Sequence, residues 1–227
     1  LKLESRKRLL DEAQAAQQAC ARAEEAARSR AALLRELEHS MDGFQGSVKS
    51  VMKAAEARRL RGITGPVSTI LTVQPGYETA IETALGFALQ NIVVEDETAA
   101  KAAMAYLKET KGGRAPFLPL ATVRPAGFDA RSLPQEAVCA SSLVQAEARY
   151  ANIVSNLLGR IVVVDDINTA SRVARALGYR NRVVTRDGQV INAGGSFTGG
   201  SVSRSAGLFS RKQELEELRK RLAGLEE

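Results

Sequence analysis

The sequence predicts an α+β fold: two pseudo-repeated α/β subdomains forming one middle domain, carried between two terminal helices that pair as an antiparallel intramolecular coiled coil. Three observations lead there. Leu1 to Met41 contains neither proline nor glycine and is dominated by Ala, Leu, Glu, Arg and Gln, the residues with the best intrinsic helix propensity. The stretch from Leu208 to the end repeats that character. Between the two, the apolar period alternates between short β-branched runs and helical segments.

The first arm, 1–42, reads as one long helix. Its apolar positions, Ala13, Ala16, Cys20, Ala23 and Ala27, then Leu34, Leu37 and Met41 after a break at Arg30, follow the three-and-four spacing of a heptad seam. Asp42-Gly43 supplies the stop, because glycine accepts the left-handed conformation that ends a helix. The second arm, 208–227, carries Leu208, Leu215, Leu218, Leu222 and Leu225 on one stripe, with Ser210 and Gln213 as a capping box. Each stripe needs cover, and the simplest partner for each arm is the other, with Leu34, Leu37 and Met41 facing Leu208 and Leu215.

The middle, 43–207, alternates strands ("GPVSTILTV", "NIVVED", "RIVVVDD", "RVVTRDGQVI") with helices ("YETAIETALGFAL", "ETAAKAAMAYLKET", "ARYANIVSNLLG", "NTASRVARALG"). The pattern repeats. Leu85-Gly86, Val93 to Asp96 and Thr98-Ala99-Ala100 are echoed by Leu158-Gly159, Val163 to Asp166 and Thr169-Ala170, an offset of about 70 residues. This divides the middle into subdomain I, about 43–120, and subdomain II, 135–207, joined by an irregular stretch from Pro116 to Pro134.

Charge is unevenly placed. Residues 43–207 hold 19 Lys and Arg against 13 Asp and Glu, and both arms are balanced, so the whole net charge of +6 lies in the middle. That bias is compatible with a phosphate-bearing partner. Lys49, Lys53, Arg58, Arg59 and Arg61 follow the first arm, and Arg204, Arg211 and Lys212 flank the start of the second. No aromatic interleaves with them, which favours phosphate contact over base stacking. The alternative is a solvated helix face. The chain shows no signal-peptide core and no apolar run of about 18 residues, so an intracellular protein without a membrane span is expected. Cys20 and Cys139 are far apart and read as reduced structural thiols.

Catalytic constellations are scarce. Asp96, Asp165 and Asp166 stand between strand and helix, where they read as helix caps. His39, the only histidine, lies in the first arm away from any pocket-forming segment. "INAGGSFTGGSVSRS", 191–205, places Gly194, Gly195, Gly199 and Gly200 together, but lacks the lysine of a phosphate-binding G-x-x-x-x-G-K-[ST] loop and the G-x-G-x-x-G of a dinucleotide fold. A flexible turn remains open, as does a sheet edge that another backbone approaches closely.

In order, the long helix, "GFQGSV", "GPVSTILTVQPGYETAIETALGFALQNIVVED", "GGRAPFLPL", "LLGRIVVVDD", "VVTRDGQVINAGGSFTGG" and the second heptad helix resemble the hinge domain of a bacterial SMC (structural maintenance of chromosomes) protein with stubs of its coiled-coil arms. The resemblance covers essentially all 227 residues. It implies a fragment of a longer ATPase whose ATP-binding heads, and the condensin subunits expected there, lie outside these residues. It also implies a two-fold, ring-like homodimer with Gly194, Gly195, Gly199 and Gly200 at the subunit contact. Basic residues near the hinge–arm junction would touch DNA weakly and without sequence preference. The implied role is chromosome condensation and segregation, on the nucleoid in the cytoplasm, with no cofactor in the hinge itself. Ser203-Arg204-Ser205 departs from lysine-rich relatives and shifts the expected DNA contact toward other arginines. Two other classes compete: a nucleotide-dependent α/β enzyme using the glycine stretch, and a scaffold coiled-coil protein with an inserted domain.

Overall fold

The computed structural model describes residues 2–128, 133–200 and 207–224. α1 (Lys2–His39) opens the chain. Then come α2 (Gly46–Glu56), β1 (Ile63–Pro66), α3 (Val67–Ile70), β2 (Thr72–Val73), α4 (Glu78–Leu85), β3 (Ile92–Val94), α5 (Glu97–Glu109) and β4 (Phe117–Pro119). β5 (Val138–Cys139), β6 (Val144–Gln145), α6 (Ala151–Leu158), β7 (Ile161–Val164), α7 (Ile167–Ala176), β8 (Arg182–Thr185), β9 (Val190–Ile191) and β10 (Phe197–Thr198) follow, and α8 (Leu208–Ala223) closes the chain. The chain forms two compact units, residues 43–210 and the paired ends 1–42 with 211–227.

In the larger unit one supersecondary element occurs twice. β3 runs through α5 to β4, parallel to it, and β7 runs through α7 to β8, again parallel. An aspartate starts each helix: Asp96 accepts the Ala99 N–H at 2.8 Å, and Asp166 accepts those of Asn168 and Thr169 at 2.8 and 3.0 Å. The carboxylates satisfy first-turn donors that have no partner within the helix and meet the positive end of its dipole. β3 is buried along its length, as its unbroken Ile-Val-Val predicts for a strand covered on both faces.

The two repeats build a three-stranded sheet, β1-β3-β4, and a five-stranded sheet, β10-β9-β8-β7-β5. β2 of the first half and β6 of the second pair antiparallel in a third small sheet. One core joins the halves, with Leu71, Ile81 and Val93 packed in the same cluster as Ile153, Leu158, Val163 and Val184. Arg182 of β8 reaches α4, its guanidinium donating to the carbonyls of Ala84 and Thr83 at 3.2 and 3.3 Å. Those carbonyls lie in the last turn of α4, where a cation also meets the negative end of the dipole.

In the smaller unit α1 and α8 run antiparallel. Ala31 and Leu34 pack on Leu215, flanked by Leu218 and Leu222. Arg30 and Glu214 form a bidentate ion pair at 2.7 and 2.8 Å, and Asp42 pairs with Arg211 at 2.9 Å. The Arg30 hydrogen bonds hold the Glu214 carboxyl below its ordinary pKa. Of the expected seam Ala27 and Leu34 are buried, joined by Ala31, which the heptads do not include, whereas Leu37 and Met41 are half-buried. At the start of α8 it is Phe209, not Leu208, that is buried, and Phe209 belongs to the core of the larger unit. Leu225 lies outside the described residues. Residues 3–22 of α1 are exposed, Cys20 among them.

Candidate dimerisation edge and nucleic-acid surface

All four glycines of the singled-out stretch surround β10, the outermost strand of the five-stranded sheet. Gly194 and Gly195 make the turn from β9, with φ of +88° and +90°, a region that only glycine enters at little cost. The Gly195 N–H closes the turn on the Asn192 carbonyl at 2.9 Å, and the Gly194 N–H donates to the Tyr179 carbonyl at 2.8 Å. Gly199 and Gly200 follow β10. Gln189 clamps them, donating to the Gly200 carbonyl at 3.1 Å and accepting the Gly200 N–H at 3.2 Å. A Cβ at Gly199 would stand 2.1 Å from the Gln189 side-chain oxygen, and Gly200 has φ +143°. Each glycine thus has a reason inside its own chain as well as its place at the edge. Among the described residues none of the four opens a helix.

Among the described residues β10 pairs with β9 alone, Phe197 opposite Ile191 and Thr198 opposite Val190. The Asn192 N–H donates to the Ser196 carbonyl at 2.8 Å, so residues 192 and 196 are a hydrogen-bonded pair of this antiparallel ladder. By alternation 190 and 198 are the next, and the Phe197 N–H and C=O between them point to the open side. The Phe197 side chain is 61% exposed. An unpaired backbone edge carrying an exposed aromatic is a ready template for another strand. Phe197 escapes a reading centred on glycines. The available signal is a lone aromatic at the middle of "GGSFTGG".

The basic candidates fall in both units. Lys49 and Lys53, one turn apart on α2, lie opposite the buried Val48, Val51 and Ala54. Arg58, Arg59 and Arg61 are exposed on the segment after α2, and Arg58 adopts φ +58°. None of these five is ion-paired among the described residues. In the arm unit Arg211 is committed to Asp42, and Lys212 is engaged by a contact of its own. Arg204 lies outside the described residues, as do Ser203 and Ser205.

The concavities offer less. One of about 650 Å³ is lined by Thr64, Thr69, Thr72, Gln145 and Arg149, and two of these polar groups are already engaged. Arg149 pairs with Glu147 at 3.2 Å and lies over the Tyr150 ring at 4.6 Å, and the Thr69 hydroxyl donates to the Pro66 carbonyl at 2.7 Å. Among the described residues no cluster of His, Cys, Asp and Glu is placed to hold a metal ion, and no helix is long and apolar enough to cross a membrane.

Residues 60–174 match the family model described as the SMC proteins Flexible Hinge Domain. The chain is 41% identical over 208 residues, 88% of its length, to the chromosome partition protein Smc of Bacillus subtilis (strain 168), and spans 17% of that relative. Among solved structures it is similar to an SMC hinge domain of Geobacillus stearothermophilus, described as an asymmetric dimer. The identity is 36% and the TM-score 0.83, over 99% of this chain and 92% of that one. The SMC hinge domain of Pyrococcus furiosus is 29% identical with a TM-score of 0.59, over 76% of this chain and 88% of that one.

Proposed function

Because the chain belongs to the SMC hinge family, we propose that it is the homodimerisation hinge of a chromosome-partition SMC protein. Residues 43–207 join two copies, and residues 1–42 and 208–227 are stubs of the coiled-coil arms. The observation that carries this reading is the β10 edge: among the described residues a strand hydrogen-bonded on one side only, with Phe197 exposed and glycines at both ends. Antiparallel or parallel addition of a partner strand would satisfy the open Phe197 N–H and C=O and bury its ring, with no chemical step. The solved relative described as a dimer is consistent with this. ATP hydrolysis and the other subunits of the complex are assigned to parts of the protein outside these residues, and the site of action is the nucleoid. The unpaired cations of α2 and the segment after it give the hinge a second task, holding the phosphate backbone of DNA without reading its sequence.

Hydrogen exchange tests the edge residue by residue. If β10 pairs between copies, protection of the Phe197 amide rises with protein concentration across the dimerisation range, while amides of β7 and β8 stay uniformly protected. Exchange at Phe197 that is independent of concentration would count against backbone pairing there.

A further inference from the structure

Lys108, Lys111 and Arg114, which the sequence reading leaves unassigned, stand beside the cations of α2. α2 packs along α5, and the segment after α5 runs back over the first two turns of α2. The Ser47 hydroxyl donates to the Arg114 carbonyl at 2.8 Å, and a Cβ at Gly112 would lie 3.6 Å from the Ser50 hydroxyl. Lys108, Lys111 and Arg114 are exposed, and none is ion-paired among the described residues. The carboxylates near this face are Glu56, Glu95 and Glu109, while Glu97 is taken up by Lys101 at 3.4 Å. Over residues 46–61 and 95–114 that leaves eight unpaired cations against three uncommitted carboxylates, Asp96 being spent on the α5 cap.

Two backbone positions sharpen the point. Helices commonly end on a residue in the left-handed conformation, and glycine is the usual occupant. α2 ends on Arg58 at φ +58°, and α5 ends on Lys111 at φ +51°. α7 ends on Gly178 at φ +62° and is followed by Tyr179 at φ +54°, and Met41 after α1 has φ +50°, but the Tyr179 ring packs on the core and Met41 is half-buried, so neither is an exposed polar group. Arg58 and Lys111 are exposed and charged. Strain accepted at exposed cations points to a partner outside the chain.

Resting on the DNA-binding reading above, we propose that the exposed faces of α2 and α5 form one duplex-DNA strip in which Lys108, Lys111 and Arg114 act with Lys49, Lys53 and the Arg58 cluster. α2 alone is about 16 Å long, the length over which one DNA strand presents about five phosphates, so the strip matches the charge spacing of a short run of backbone. Lys108 and Lys111 also complement the α5 dipole, and a dipole role alone would show in stability and not in binding.

The test is binding of a 30-base-pair duplex to the dimer, followed by fluorescence anisotropy across a salt series. Lys108→Gln with Lys111→Gly and Arg114→Gln should weaken binding at least tenfold at low salt and flatten the log–log salt slope by about 2 to 3, as three phosphate contacts are lost. The melting temperature should hold or rise, because glycine relieves the left-handed position. Arg58→Glu with Arg59→Glu and Arg61→Glu is the reference. If that variant loses binding and the α5 variant matches the parent, the strip is wrong and the DNA reading stands. If both bind as the parent does, both fall. A lower melting temperature with unchanged binding would leave the α5 cations a purely structural role and overturn the proposal.

Discussion

Asp166 caps α7 through two backbone N–H groups and the Thr169 hydroxyl, at 2.8, 3.0 and 2.8 Å. The Thr169 backbone bond, then its hydroxyl, holds the carboxyl below its ordinary pKa, with smaller help from Asn168 and Arg172. A depressed carboxylate contributes stability that is full above the unfolded-state pKa and is lost as pH falls through the folded-state value. The parent should therefore be more stable than Asp166→Asn at neutral pH. That gap should close as pH drops below the usual aspartate range, as measured by urea denaturation at a series of pH values. A gap that stays constant with pH would show that the charge contributes nothing. Asp96, read from the sequence as the same device, should cost about 1 kcal/mol when replaced by alanine. The glycines show where residue-scale reading runs out. The positive φ of Gly194, Gly195 and Gly200 and the Gln189 clamp beside Gly199 belong to the β9–β10 hairpin, visible only once the two strands are known to pair.

At the scale of elements, the arms are legible because helix propensity and an apolar stripe act over many residues. Their register is not, since it depends on which few side chains meet. The heptads place Leu34, Leu37 and Met41 in the seam, and Leu34 holds it with Ala31, whereas Leu37 and Met41 are only half-buried. Ala31 is small enough for close approach, and the Arg30–Glu214 pair beside it fixes the alignment. Leu34→Cys with Leu215→Cys, in a Cys20→Ser background, should oxidise to a disulfide within one chain, read as a single-chain mass on a denaturing gel. Arg30→Glu should slow that reaction, and adding Glu214→Arg should restore it. Cross-linking only between chains would contradict the intramolecular pairing.

For the whole molecule, the repeated strand–Asp–helix–strand unit is written in the sequence at its offset of about 70 residues, because each copy carries its own cap and its own apolar run. The joining of the halves is not written there. It rests on the two-residue strands β2 and β6 and on Arg182 reaching the end of α4, contacts between segments about 70 and 100 residues apart. No local periodicity signals such pairs. The same holds for the candidate surfaces, since the edge position of β10 and the adjacency of α2 and α5 are products of topology. The central claim is that β10 joins two copies of this chain through Phe197 and the glycine edge. Light scattering measures it most directly. The parent should have twice the 24.3 kDa chain mass, and Phe197→Asp should have 24.3 kDa with an unchanged melting temperature, because a ring 61% exposed supports little of the fold on its own. A parent of single-chain mass, or a Phe197→Asp variant that remains a dimer of undiminished affinity, would contradict the account.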